Sequence, residues 1–325
     1  MGITVATAHG EPVTVDNFNR AETDRYFASS VVLAGGTGRF HHRRELMPID
    51  KQTVVRANRD TLYSSAVFDL DAGDVTVMLP DAGRRFMSML IIDEDQFAPS
   101  IVYGAGRYTL TGREIGTRYA MAGVRTLVDP GDPHDLAKVH ALQDAIRVEQ
   151  KSPGRFDVPA WDQASQKSVR DALIALGVTV PDSKRMFGPR DQVDPVRHLI
   201  GTAIGWGGNP EEDATYLNVT PRHNDGRTIY RLIARRVPVD GFWSISVYNA
   251  EGYFEPNPHG VYSVNNITAT KNADGSVTVQ FGGFDGRTPN CVPITPGWNY
   301  LVRLYRPRPE IVDGTWVFPQ AELVP

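Results

Sequence analysis

From about residue 53 to residue 126 the sequence alternates short β-branched and aromatic runs with turn-forming residues, a rhythm that restricts the chain to an antiparallel β architecture. The runs are 53–55, 64–70, 75–79, 86–92, 100–103, 108–110 and 118–126. Asp71-Ala-Gly73, Pro80-Asp-Ala-Gly83 and Gly104-Ala-Gly106 separate several of them. From Thr215 onward the signal returns in 216–219, 228–235, 243–248, 277–281 and 300–305. Asn272-Ala-Asp-Gly275 predicts a hairpin between 267–271 and 277–281.

The period changes between these two regions. Asp132-Pro133 opens a helix carrying Leu136, Val139, Leu142 and Ile146, with proline at the favoured first turn. A second helix is expected over 164–176, ending at Gly177, and a third from Asp194 to Ile204. A helix near the N-terminus, capped by Asp16, would show Phe18, Ala21, Tyr26 and Phe27 on one face. The expected organisation is an N-terminal segment with a first β-sandwich (1–128), a helical insert (129–208) and a second β-sandwich (209–325).

Several function classes are excluded by charge and composition. A net charge of −4 over 325 residues gives no basic face for nucleic acid. The basic run 39–44 (RFHHRR) reads as a solvated loop rather than an anion grip. One cysteine allows no intrachain disulfide. No stretch approaches the roughly 20 apolar residues of a membrane span. The start of the chain lacks the pattern of a secretion signal, which points to the cytoplasm.

The densest polar chemistry lies in residues 56–65 (RANRDTLYSS), where a core strand should begin. Strand alternation would put Arg59, Thr61 and Tyr63 on one face and Asn58 and Asp60 on the other. An aspartate beside two arginines is held ionised, and an arginine can grip a carboxylate or phosphate through two parallel hydrogen bonds. The same residues could instead be an ion pair pinning two domains together. Asp93-Glu-Asp95 could hold a divalent cation but reads more simply as a solvated loop. No His-Glu-x-x-His, Gly-x-Ser-x-Gly or nucleotide fingerprint occurs, and Cys291 reads as inert. Tyr253, His259 and Tyr262 lie on turn-rich segments suited to a cleft, and Arg303 lies on a core strand where an inward charge needs a partner.

The blocks 241–249 (GFWSISVYN), Asn257-Pro258, Tyr262-Ser263, 297–307 (GWNYLVRLYRP) and Asp313-Gly-Thr-Trp316 resemble the domain of unknown function 1214. Residues 58–64 (NRDTLYS), the apolar run after them and the Pro80/Gly83 turn resemble the domain of unknown function 1254. The resemblance implies an immunoglobulin-like sandwich, a helical layer and a jelly-roll-like sandwich. It implies no mechanism.

Pockets favour domain boundaries. The sequence therefore predicts a small-molecule enzyme of hydrolase or lyase type, without organic cofactor or metal, acting on a polar or anionic substrate in an interdomain cleft. Asp60 and Tyr63 would be catalytic. Arg56, Asn58, Arg59, Trp206, Tyr253, His259, Tyr262 and Arg303 would bind the substrate, and the chain would form a homo-oligomer. The alternatives are a carbohydrate- or envelope-polymer-binding module and a structural interaction protein.

Overall fold

The computed structural model describes residues 10–52 and 54–324. Helix α1 (Phe18–Ala34) is followed by β1 (His41–His42), β2 (Thr61–Asp69), β3 (Val75–Leu79), β4 (Met87–Asp93), β5 (Ser100–Tyr103) and β6 (Gly106–Leu110). Then come α2 (Gly112–Ile115), β7 (Tyr119–Leu127), α3 (Pro133–Ala145), β8 (Arg147–Gln150), α4 (Gln163–Gly177) and α5 (Pro195–Gly205). The last part holds β9 (Ala214–Val219), β10 (Tyr230–Ala234), β11 (Trp243–Tyr248), β12 (Ser263–Asn265), β13 (Val277–Phe281), β14 (Cys291–Val292), β15 (Asn299–Tyr305), α6 (Pro309–Val312) and β16 (Glu322–Leu323). The fold is mainly β with a helical insert, as the strand rhythm predicts.

In the first sandwich a five-stranded sheet, β1-β2-β7-β4-β5, covers a three-stranded sheet, β6-β3-β8. Alternation along β2 sends Ala66 and Phe68 inward to meet Val75, Val77, Met89 and Val124. Strand β8 lies inside the segment read as helical, yet it pairs with β3 and completes this sandwich. The outer face of the five-stranded sheet carries Val67, Leu90, Ile92 and Met121, which pack against Phe27 of α1 and against Trp206.

The second sandwich sets β14-β13-β10-β16 against β12-β11-β15-β9. Its core stacks Trp298, Tyr300 and Phe281 with Trp243, Ile245 and Val302. The predicted hairpin does not form. Its turn is present, with Asn272 N–H donating to Ser276 O at 2.8 Å, but 267–271 is not a strand and β13 pairs with β10 and β14. The Asn265 side chain accepts from Ile267 N and Thr268 N, each at 2.9 Å, and this turns the chain away before a second arm can extend.

Asp132 and Asp194 cap α3 and α5 as expected, whereas α1 begins after Asn17 and not at Asp16. Residues 54 and 55 are not strand, and Thr53 lies outside the described residues. Two bland readings also change. Asp93 and Glu94 are buried rather than solvated. Asp93 accepts the Asp95 and Phe97 amides at 2.8 and 2.9 Å, and Glu94 accepts the Tyr119 amide at 2.9 Å. The basic run enters β1, and Arg44 pairs with Asp144 and donates to His140 O. Cys291 sits in β14 and is buried, which pushes its thiol up.

Candidate functional site

Helix α1 does not cover the outer face of the five-stranded sheet completely. At the β2 end it touches through small residues, Ser30 Oγ lying 3.0 Å from Ser65 Oγ. Beside this contact a cavity of about 360 Å3 opens, within the range of small-molecule sites. Tyr26, Ser30 and Leu33 of α1 form one wall, and Leu46, Met47, Val54 and Ala57 another. Trp206 and Gly207 close one end. Trp206 is held by a ring stack on Tyr26, with centroids 4.2 Å apart, and by its Nε1–H donating to Thr23 Oγ1 at 3.1 Å.

The floor is set by strand register. Tyr63 of β2 is paired with Arg125 of β7, which faces Ser88 of β4. The next row on this face is Ser65, Gly123 and Leu90, and the third is Val67, Met121 and Ile92. Polar character thus falls along the strands from the first row to the third. Gly123 leaves the centre of the floor without a side chain.

Tyr63 and Arg125 lie deep in the molecule yet remain half-buried, because the cavity opens beside them. The Arg125 guanidinium donates to Gly207 O at 2.9 Å and to Asn209 Oδ1, and sits over the Tyr63 ring with its carbon 5.7 Å from the centroid. Among the described residues no carboxylate lies within ion-pair reach of it. Burial pushes the Tyr63 phenol up, but Arg125 and hydrogen bonds from Thr61, Asn58 and Arg125 outweigh it and hold the phenol below its ordinary value.

Asn58 ties this floor to the second sandwich. Its Nδ2 donates to Tyr63 Oη at 3.2 Å, Thr61 Oγ1 at 3.1 Å and Tyr305 Oη at 3.0 Å, while its Oδ1 accepts from Asp60 N at 2.8 Å. Alternation predicted Asn58 and Tyr63 on opposite faces. They converge because β2 begins only at Thr61, and the chain before it is irregular. Tyr216 and Tyr305 lie behind them, both pushed up, chiefly by burial.

Asp60 lies behind the floor, 1% exposed. Its Oδ2 accepts from Ser244 Oγ at 2.6 Å, while Oδ1 has no hydrogen-bond partner of good geometry, although the Asn265 side chain lies close and helps offset its burial. Burial pushes its carboxyl up, against the pull of Arg303. Arg303, 2% exposed, donates to Ser246 Oγ at 2.8 Å, Tyr248 Oη at 2.7 Å, Arg56 O at 2.8 Å and Ala57 O at 3.1 Å. The charge on this core strand therefore has protein partners.

The other predicted residues spread out. Arg56 donates to Asn299 Oδ1 at 2.7 Å, and Arg59 donates to Met47 O and lies over the Tyr262 ring. His259 is exposed and stacks on Phe284, with centroids 4.0 Å apart. Tyr253 exchanges hydrogen bonds with Asn249, its own amide donating to Asn249 Oδ1 at 2.9 Å. Of the predicted set, the cavity gathers Asn58, Tyr63 and Trp206. It adds Arg125, Ser30, Ser65, His41 and Tyr26, which sequence reasoning missed. Arg125 carried a signal as a charge inside the apolar run 118–126, and His41, with Arg43 which also lines the cavity, belongs to the basic run 39–44 that was read as a solvated loop.

Larger hollows lie elsewhere, including one of about 550 Å3 between α1 and α4. Two of the cations there, Arg25 and Arg170, are both paired with Glu22. Among the described residues the cavity over Tyr63 is lined by a cation without an ion-pair partner, Arg125. Among the described residues no group of three His, Cys, Asp or Glu side chains is placed to hold a metal ion.

The fold and cavity define a double β-sandwich protein with a polar pocket on the outer face of its first sheet. The chain belongs to the two-domain family that joins a protein of unknown function (DUF1254), matched at residues 37–150, to a second (DUF1214), matched at 215–309. The first match ends at β8, the strand that completes the first sandwich. The fold is similar to the crystal structure of the VPA0106 protein from Vibrio parahaemolyticus, at 15% identity and a TM-score of 0.72, over 96% of this chain and 98% of that one. It is also similar to a putative uncharacterized protein from Burkholderia cenocepacia, at 14% identity and a TM-score of 0.54, over 95% and 88% of the two chains. Among curated proteins none matches the sequence. No described helix is long and apolar enough to cross a membrane.

Proposed function

We propose that this protein is a small-molecule enzyme of the lyase or hydrolase type, in which Tyr63 removes a proton from a polar or anionic organic substrate held in the cavity over β2 and β7. The observation that carries this reading is the Tyr63–Arg125 pair on the cavity floor. A phenol that receives hydrogen bonds and faces a guanidinium is biased toward phenolate, and a phenolate is a base. Tyr63 Oη takes the proton and the electron pair stays on the substrate. Arg125, preorganised by Gly207 and Asn209, faces the negative charge that develops. Proton abstraction of this kind favours lyase chemistry over hydrolysis.

Asp60 then has a positioning role. Its backbone N–H and side chain fix Asn58 and the seam with the second sandwich, and Asn58 in turn aims the Tyr63 hydroxyl. The aromatic platform of a carbohydrate-binding module finds less support. Around Tyr248, Glu255, Asn257 and Tyr262 there is a hollow of only about 20 Å3, too small for a sugar ring.

The test is exchange in heavy water. Wild-type protein and its Tyr63→Phe variant are incubated in D2O with a panel of small organic acids, amides and alcohols and followed by mass spectrometry. Deuterium incorporation or product formation by the wild type alone is expected. Equal behaviour of the two proteins on every compound would sink the assignment.

A further inference from the structure

The cavity that holds Tyr63 also carries a pattern that identifies what it takes. The three rows of its floor run from Tyr63 and Arg125, through Ser65, Gly123 and Leu90, to Val67, Met121 and Ile92. The polar groups lie in the first two rows, where Arg43 beside Tyr63 and His41 beside Ser65 also line the cavity, and Trp206 covers the third, apolar row, packing with Leu90, Ile92 and Met121.

Resting on the reading above, we infer that the ligand is an amphipathic monocarboxylate, its carboxylate on Arg125 and its apolar chain laid over Gly123 toward Ile92 and Met121 under Trp206. Three observations converge on this class. A deep guanidinium without a carboxylate partner is open to pairing with one anionic head. Two of its nitrogens are already engaged, by Gly207 O and Asn209 Oδ1, which leaves room on it for one small head. The second arginine of the lining, Arg43, stands beside Tyr63, and among the described residues none of those packed with Trp206 at the apolar end is a cation, so a second anionic group there would be stripped of water without a partner.

Gly123 makes the room for the chain. Its backbone is not in the left-handed region, and a Cβ built on it would meet nothing closer than Leu90 O at 3.8 Å. Glycine is therefore not required here by the turn of the backbone; what its missing side chain supplies is space. A larger residue at this position fills the cavity without disturbing the sheet.

The experiment is isothermal titration of the full chain with straight-chain monocarboxylates from acetate to octanoate. Matched primary alcohols, a dicarboxylate and an alkyl phosphate serve as comparisons. Affinity for carboxylates is expected to rise about three- to fourfold per methylene until the chain meets the cavity end. The matched alcohols should bind at least about tenfold more weakly, the factor lost with one charge-assisted pair. Arg125→Gln should remove that preference while leaving alcohol binding in place. Gly123→Val, whose fold is checked by its melting transition, should lose both. Tighter binding of the dicarboxylate or the alkyl phosphate, no rise with chain length, no carboxylate binding, or unchanged binding by Gly123→Val would each overturn the inference. Carboxylates that bind as described but never exchange deuterium would sink the proton-transfer reading and leave the ligand class standing. Exchange confined to neutral compounds would do the reverse.

Discussion

Tyr63 and Arg125 face each other across neighbouring strands, paired in register between β2 and β7, with the guanidinium carbon 5.7 Å from the phenol ring centroid. Cross-strand neighbours on one face of a sheet are held close by the backbone itself, so neither side chain needs a long excursion to find the other. That economy makes the pair rigid, and a rigid base beside a fixed cation is what proton abstraction uses.

The pairing predicts an optical signature. With the phenol held below its ordinary value by Arg125 and by hydrogen bonds from Thr61 and Asn58, Tyr63 should be the first tyrosine to ionise as pH rises. Tyr103, Tyr216 and Tyr305, all pushed up by burial, should ionise last. Ultraviolet titration of tyrosinate should show an early step in the wild type that is absent from Tyr63→Phe and moved to higher pH in Arg125→Met. On substrate, Tyr63→Phe should lower kcat by about 10²–10⁴-fold, the usual worth of a positioned base. An unchanged first step in Tyr63→Phe would show that another residue ionises first.

Asn58 links three phenol or hydroxyl oxygens and one backbone amide across two sandwiches. Asn58→Ala leaves Asp60 N without its side-chain acceptor and takes one donor each from the Tyr63 and Tyr305 hydroxyls. Denaturant unfolding should show a loss of about 1–3 kcal/mol, the range for stranding buried polar groups. The early tyrosinate step should also move up in pH. A neutral substitution would mean that water replaces the amide at no cost.

The strands were legible in the sequence because β2, β4, β7, β11 and β15 carry short runs rich in β-branched, aromatic and other apolar residues, and the capping aspartates announced α3 and α5. The hairpin prediction failed for a local reason, since the Asn265 side chain, two residues before the predicted arm, captured the backbone. The candidate site was half legible. Asn58 and Tyr63 stood out because polar residues gathered at a strand mouth, whereas the partner that gives Tyr63 its chemistry lies 62 positions along the chain, in register on another strand. Register of that kind follows from sheet topology, which spacing along the chain does not encode. Ser65 and Gly123 looked like ordinary strand residues, and only the gap beneath α1 makes them cavity floor.

Asp93 gives a stability prediction whose sign follows from its burial. It is 3% exposed, and burial pushes its carboxyl up to about 7 despite the amides of Phe97 and Asp95. A folded-state value above the unfolded one means that the native protein holds a proton which the unfolded chain releases. Its contribution is full below the unfolded value of 3.8 and is lost as pH rises through about 7. Asp93→Asn keeps an oxygen for both amides and removes the titration. Relative to this variant the wild type should therefore weaken between about pH 4 and pH 7, by up to about 4 kcal/mol. Thermal melts of both proteins across that window check it; parallel curves would show that the carboxyl stays ionised when buried.

Arg303 and Asp60 form the buried electrostatic seam between the sandwiches without touching as an ion pair. Register explains their approach: Ser244 of β11 is paired with Arg303 of β15, and the Ser244 hydroxyl donates to Asp60 Oδ2 at 2.6 Å. The arginine also satisfies Arg56 O and Ala57 O, the carbonyls at the entrance to the Asn58 segment. Replacing it by Met strands two carbonyls and a carboxylate in a place water does not reach. The expected loss is about 3–5 kcal/mol, the range for breaking a buried charge arrangement from one side. Because the two groups share one seam, Asp60→Asn in the Arg303→Met background should cost less than Asp60→Asn alone, by at least about 0.5 kcal/mol. A double-mutant cycle in denaturant reads that coupling directly. Strict additivity would mean that Ser244 and the neighbouring amides, rather than Arg303, hold the Asp60 charge, and that the sandwiches are joined at this point by hydrogen bonds alone.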